Sequence, residues 1–185
     1  MRNRAEIAAR ILGCEGSVTK LLSSLFDDLR FEVLEQRVCK AGVSARKLGV
    51  GEDDDVCFRR SAFFLQSRFS LQSQTDPSRT VCLAFSISPL TVLESISPGF
   101  LREVLRGKSP IGEIIGEFGL NVKRERLWSV TTTDVKTVLN TLPEYKPILI
   151  DYNVGGEYLI MNSRIVENGR TVFDVLEVFN LNAFD

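Results

Sequence analysis

The chain has 185 residues, a formal net charge of −1 and no histidine, with 44% apolar and 25% charged residues. That length suits one domain able to bury roughly 70% of its unfolded surface, and so small a charge exerts no global pull toward nucleic acid or an anionic membrane. The missing histidine excludes Ser-His-Asp and Cys-His nucleophile systems, His-ligated zinc and the usual general base at neutral pH.

Residues Arg4–Leu12 place Ala5, Ala8, Ile11 and Leu12 at helical spacing, with Gly13 ending the run. Ser17 is positioned to cap a second helix whose apolar stripe is Leu21, Leu22, Leu25 and Phe26. Residues 31–38 read as a strand, with Phe31, Val33 and Glu35 on one side. Residues 49–55 form an acidic loop, and 56–65 form a strongly β-prone run. There Val56, Phe58, Arg60, Ala62 and Phe64 share one face, so Arg60 is a cation on a mainly apolar face. Residues 66–79, polar and containing Pro77, read as a hairpin loop, and 80–88 as the returning strand. Pro98–Arg106 is a helix by its apolar spacing. Gly107 to Gly112 forms a turn into a short helix over 113–118. Residues 120–130 read as a strand whose Val122, Arg124, Arg126 and Trp128 share a face, and 134–142 as a helix. Pro143 and Pro147 bound a linker. A final hairpin joins 158–166 to 171–179 around an Asn168–Gly169 turn. The sum is an α+β fold: a single domain spanning 1–185, with a largely antiparallel sheet of about six strands and helices packed on it.

Glu177 lies in the last of these strands and shares its face with Phe173, Val175 and Phe179. Burying a carboxylate costs several kcal/mol unless a partner or ligand compensates. Arg60 and Glu177 therefore read either as a structural ion pair or as the polar groups of a ligand cavity roofed by the sheet. In the second case Arg60 binds an anion and Glu177 acts on a hydroxyl or a proton. Strand parity points Arg60 into such a cavity; a β-bulge would substitute Arg59. Arg124 and Arg126 belong either to a solvated edge strand or to the same cavity, and several arginines there would suit a small polyanionic metabolite. The Gly107–Gly112 turn could offer backbone N–H groups to an anion or be an ordinary loop into a helix. The four cysteines, Cys14, Cys39, Cys57 and Cys82, include no C-x-x-C pair and read as small hydrophobes, and no metal site is expected. No apolar stretch approaches the ~20 residues of a transmembrane helix, and the N-terminus lacks a signal-peptide core. A cytoplasmic location and no membrane partner are expected.

Several segments resemble, in order, the chorismate lyase (4-hydroxybenzoate synthase) family in its broader bacterial, archaeal and plastid branch. Glu15–Gly16–Ser17–Val18–Thr19–Lys20 is similar to the stretch opening that family's second helix. Phe58–Arg59–Arg60 resembles its arginine-bearing strand, Ser109–Pro110–Ile111–Gly112 its P-(L/I)-G turn, and Val122–Lys123–Arg124–Glu125 its T-R-(D/R/E) strand. Asn168–Gly169–Arg170 and Leu176–Glu177–Val178–Phe179 resemble its closing hairpin, although Arg170–Thr171 stands where the family often has proline. Residues 129–157 form a longer segment than in compact members.

The resemblance implies a buried, cofactor-free active site that eliminates pyruvate from chorismate, a dianion, to give 4-hydroxybenzoate for aromatic acid biosynthesis. Arg60 would grip a carboxylate, Ile111 and Gly112 would offer N–H groups to the ring carboxylate, and Arg124 would hold the enolpyruvyl carboxylate. Glu177 would bond the ring oxygen, and Val18 would form the apolar wall; Arg126, sharing the strand face of Arg124, is expected beside it in the substrate site on that pattern alone. The alternatives are a related lyase acting on a modified chorismate, or a non-enzymatic small-molecule-binding module. The effector domains of some bacterial transcription regulators share this fold. Against that module, no helix-turn-helix segment or basic DNA-binding arm is expected before the domain; a small-molecule substrate is expected as partner, nucleic acid is not, and a monomer or homodimer is expected.

Overall fold

The computed structural model describes residues 4–66, 80–142 and 156–184. Six strands, β1 (Leu29–Lys40), β2 (Asp55–Leu65), β3 (Thr80–Pro89), β4 (Lys123–Thr132), β5 (Tyr158–Glu167) and β6 (Arg170–Asn180), form one antiparallel sheet ordered β1-β2-β3-β6-β5-β4. The helices are α1 (Arg4–Leu12), α2 (Val18–Leu25), α3 (Ala45–Leu48), α4 (Leu90–Ile96), α5 (Pro98–Arg106), α6 (Ile111–Glu117) and α7 (Val135–Asn140). This is the expected α+β architecture with helices packed on an antiparallel sheet.

Both faces of the sheet are covered, and differently. One face packs Phe58, Phe64, Phe85 and Leu176 against Ala45 and Leu48 of α3 and Val135 and Leu139 of α7. The other face divides into two cores. At one end α1, α2 and a terminal 3-10 turn, Leu181–Phe184, close over Phe63, Cys82 and Phe179. At the other end α4, α5 and α6 close over Cys57, Phe173 and Val175. The seam between these two cores runs across the middle of β2, β3 and β6, and it positions the site described below.

Local chemistry explains most of the elements. Ser17 accepts a hydrogen bond from the Lys20 amide at 3.3 Å and caps α2. Ser97 caps α5 through Phe100, with Pro98 in the first turn and Gly107 at φ +67° ending the helix. At the β5–β6 turn Asn168 and Gly169 both take positive φ (49° and 77°), as a type I′ hairpin requires.

The structure departs from the expected elements in several places. A bulge between Val33 and Glu35 breaks the simple alternation in β1 and leaves Leu34 exposed. β4 begins at Lys123, three residues later than residue 120. The 3-10 turn Gly42–Ser44 running into α3, and the whole of α4, stand where no element was expected. The 66–79 loop, apart from Gln66, and the Pro143–Pro147 linker lie outside the described residues, as does much of the 129–157 segment.

Candidate functional site

A cavity of about 140 Å³ occupies the seam. A void of that size holds one aromatic ring: an apolar cavity of about 150 Å³ is enough for benzene. The sheet supplies its floor through Ser61 and Phe63 of β2, Ala84 and Ser86 of β3, and Val175 and Glu177 of β6. Register explains the grouping, because Ser61 pairs with Ala84 and Ala84 with Glu177, so the three point the same way. Two chain segments form the walls. One runs from Glu15 through Ser17, Val18 and Thr19 at the start of α2; the other is Pro110, Ile111 and Gly112 at the start of α6. They touch closely: a Cβ on Gly112 would meet Ser17 Oγ at 2.3 Å and Thr19 Oγ1 at 3.2 Å. Only glycine permits that approach.

Two charges meet inside. The Arg124 guanidinium bonds Oε2 of Glu177, with both side chains more than nine-tenths buried. The Nε of Arg124 is buried and has no hydrogen-bond partner. Burial pushes the Glu177 carboxyl above its ordinary range, and Arg124 opposes that rise. Cys82, wholly buried on the neighbouring strand, has its thiol pushed well up by burial and by the Glu177 charge, so it is held as a neutral thiol.

Of the residues singled out in the sequence, Glu177, Arg124, Ile111, Gly112 and Val18 line this one cavity. Arg60 and Arg126 do not. Arg60 pairs in register with Phe85, and Phe85 with Leu176, which places it on the opposite face of the sheet from Glu177. Its Nε lies 3.9 Å from Glu35 on the edge strand. Arg126 is exposed, and its guanidinium bonds the Leu12 carbonyl at the end of α1.

Arg59 is the arginine on the cavity side of β2, yet it does not line the cavity either. It is 1% exposed, and its three nitrogens donate to Gln36 Oε1 at 2.7 Å, to the Ser109 carbonyl at 3.1 Å and to the Val104 carbonyl. Gln36 in turn donates to the Leu105 carbonyl at 2.6 Å. Arg59 and Gln36 thus gather the last carbonyls of α5, where a cation is favoured, and fix the turn that delivers Pro110 to the cavity wall. Among the lining residues that sequence reasoning missed, Ser61 and Ser86 carry no pattern signal, being small hydroxyls on ordinary strands. Phe31 and Phe63 are aromatic strand residues, which sequence pattern does not separate from core. Among the described residues no group of three or more potential metal ligands is close enough to hold an ion, and no helix is long and apolar enough to cross a membrane.

No family model matches the chain, and no curated protein matches its sequence. Solved structures do. The effector domain of PhnF from Mycobacterium smegmatis superposes with a TM-score of 0.57 at 13% identity, over 89% of this chain and 88% of that one. A possible transcriptional regulator of Bacillus subtilis, YydK, superposes at 0.55 and 15% identity, over 84% of this chain and 59% of that one. The chain has the chorismate lyase-like fold. PhnF itself gives 0.56 at 13% identity, over 90% of this chain and 64% of that one. The chain therefore spans under two thirds of YydK and PhnF.

These findings correct two expectations. The enzyme assignment falls: structures similar to this chain are described as a possible transcriptional regulator, an effector domain and the C-terminal domain of a histidine utilization repressor. Of the three arginines expected to bind chorismate, Arg60, Arg124 and Arg126, only Arg124 lines the cavity. The exclusion of nucleic acid is also withdrawn, since a similar fold occurs in proteins described as transcriptional regulators.

Proposed function

We propose that this chain is a non-catalytic module that binds a small organic ligand, as the effector-sensing part of a transcriptional regulator. The observation that carries the reading is the cavity itself. Its walls are mostly apolar, its volume suits a single ring, and its polar equipment is one arginine, one buried carboxylate, a second carboxylate (Glu15) at the rim and a few hydroxyls. Such a mixture of apolar surface with a few converging polar groups is the usual make-up of a ligand pocket. One arginine with an unmatched buried Nε suits one carboxylate, and guanidinium geometry is matched to that group. The ligand class we infer is therefore a ring-sized monocarboxylate, with the ring against Phe31, Phe63 and Ile111 and the carboxylate at Arg124. Val18 and Gly112 shape the wall, and the fold supports binding without requiring turnover.

Calorimetric titration with a panel of single-ring carboxylates and their amides tests this. Binding of one or more carboxylates is expected, weakened at least tenfold by Arg124→Ala, with the ligand recovered unchanged. Failure of every carboxylate to bind, or equal affinity for acid and amide, would remove the reading.

A further inference from the structure

The buried part of the cavity is neutral. Arg124 is the cation lining it, and Glu177 already occupies that cation. An incoming carboxylate would place two negative charges against one guanidinium in a space screened from water. An unmatched charge there is expensive and is relieved by neutralisation. The other groups facing Glu177 offer no relief. Cys82 on β3 is a neutral thiol, Met161 is its register partner on β5, and Ser61 and Ser86 are uncharged. Glu15 at the rim adds a negative charge. On the same side of the sheet, Arg126 is spent on the Leu12 carbonyl, and Arg59 donates to Gln36, Val104 and Ser109 without reaching the cavity.

We propose that the pocket takes up its anion together with a proton: the ligand carboxylate replaces Glu177 at Arg124, and Glu177 receives a proton from solvent and stays in the cavity as a neutral acid. Apart from Glu15 at the rim, the cavity is then neutral both before and after binding. Glu177 changes from acceptor to donor, with its new O–H free to bond the ligand or a neighbouring hydroxyl. Burial already favours that neutral form. The inference rests on the reading of the cavity as a carboxylate pocket, and it makes the affinity of that pocket depend on pH although the chain has no histidine.

Calorimetry with benzoate in buffers of different ionisation enthalpy counts the protons. About one proton taken up per benzoate bound is expected at neutral pH. Above the range where free Glu177 ionises, affinity then falls by up to about tenfold per pH unit. Glu177→Gln, which mimics the neutral acid, should bind benzoate with no proton uptake and a flat pH profile. Isotope-edited infrared spectra of the unaltered protein should gain a protonated carboxyl band on adding benzoate. Benzoate binding with no proton uptake overturns this inference and leaves the carboxylate pocket standing. Uptake that persists in Glu177→Gln also overturns it, since the proton then goes elsewhere. A protein that binds no single-ring carboxylate at all overturns the pocket reading and this inference with it.

Discussion

Glu177 is held ionised by one neighbour and pressed toward neutrality by everything else around it. Its carboxyl titrates above the ordinary value near 4.5 in the folded chain, through burial and against the pull of Arg124. A carboxyl raised on folding binds its proton more tightly in the native state, so its contribution is full below the unfolded value and is lost as pH rises through the folded one. Glu177→Gln removes that loss. In urea unfolding, the variant should gain stability relative to the unaltered protein as pH rises from about 4.5 to neutrality. A stability difference independent of pH would mean that Arg124 fully cancels the effect of burial. Each charge of this pair was singled out in the sequence, Glu177 on an apolar strand face and Arg124 on a face shared with Val122, Arg126 and Trp128 that could equally have been solvated. Their partnership was not, since it depends on β4 and β6 lying either side of β5, and nothing local in a strand reports which strands will flank it.

The elements around the pocket show where sequence patterns stop carrying information. Alternation along β2 correctly grouped Val56, Phe58, Arg60, Ala62 and Phe64, but it could not say which group looks toward Glu177. Both sides of β2 are buried, apart from its first residue and Arg60, so there is no polar face to set against an apolar one. The decision rests on register across β3, which pairs Ser61 with Ala84 and Ala84 with Glu177. A bulge was not the cause, since none separates Arg59 from Arg60 in either pairing. Helices α3 and α4 were invisible for another reason. Ser44 and Pro89, the residues before them, make no side-chain capping bond, so both helices form through packing rather than through a start signal. The contact between α2 and α6 is testable directly. Gly112→Ala should force the two cavity walls apart, costing about 1–3 kcal/mol and weakening carboxylate binding. Adding Ser17→Gly clears the Oγ at only a few tenths of a kcal/mol in lost capping, so the double variant should recover most of both losses. A double variant no better than the single one would show that the Thr19 contact, at 3.2 Å, is the obstacle.

At the scale of the whole molecule, the cavity is the gap left where two cores share one face of a sheet without merging. A ligand in that gap adds contacts to both cores at once, so occupancy should appear as global stability. At a ligand concentration 100 times Kd the gain is about 2.7 kcal/mol. In a domain of this length that is a rise in Tm of roughly 5–11 °C, at about 2–4 °C per kcal/mol. Scanning calorimetry with a bound carboxylate should show one transition moving as a unit; two transitions with only one displaced would show that the cores melt independently. The strand order has a further effect during synthesis. β6, last of the six strands to be made, lies between β3 and β5 and supplies Glu177 to the cavity floor. Until it leaves the ribosome, β3 and β5 each present an open edge, the condition that invites wrong pairing and aggregation. From the making of β3 until β6 is made, the nascent chain therefore carries an unpaired edge, joined by that of β5 only shortly before β6, and its pocket comes into being in a single late event.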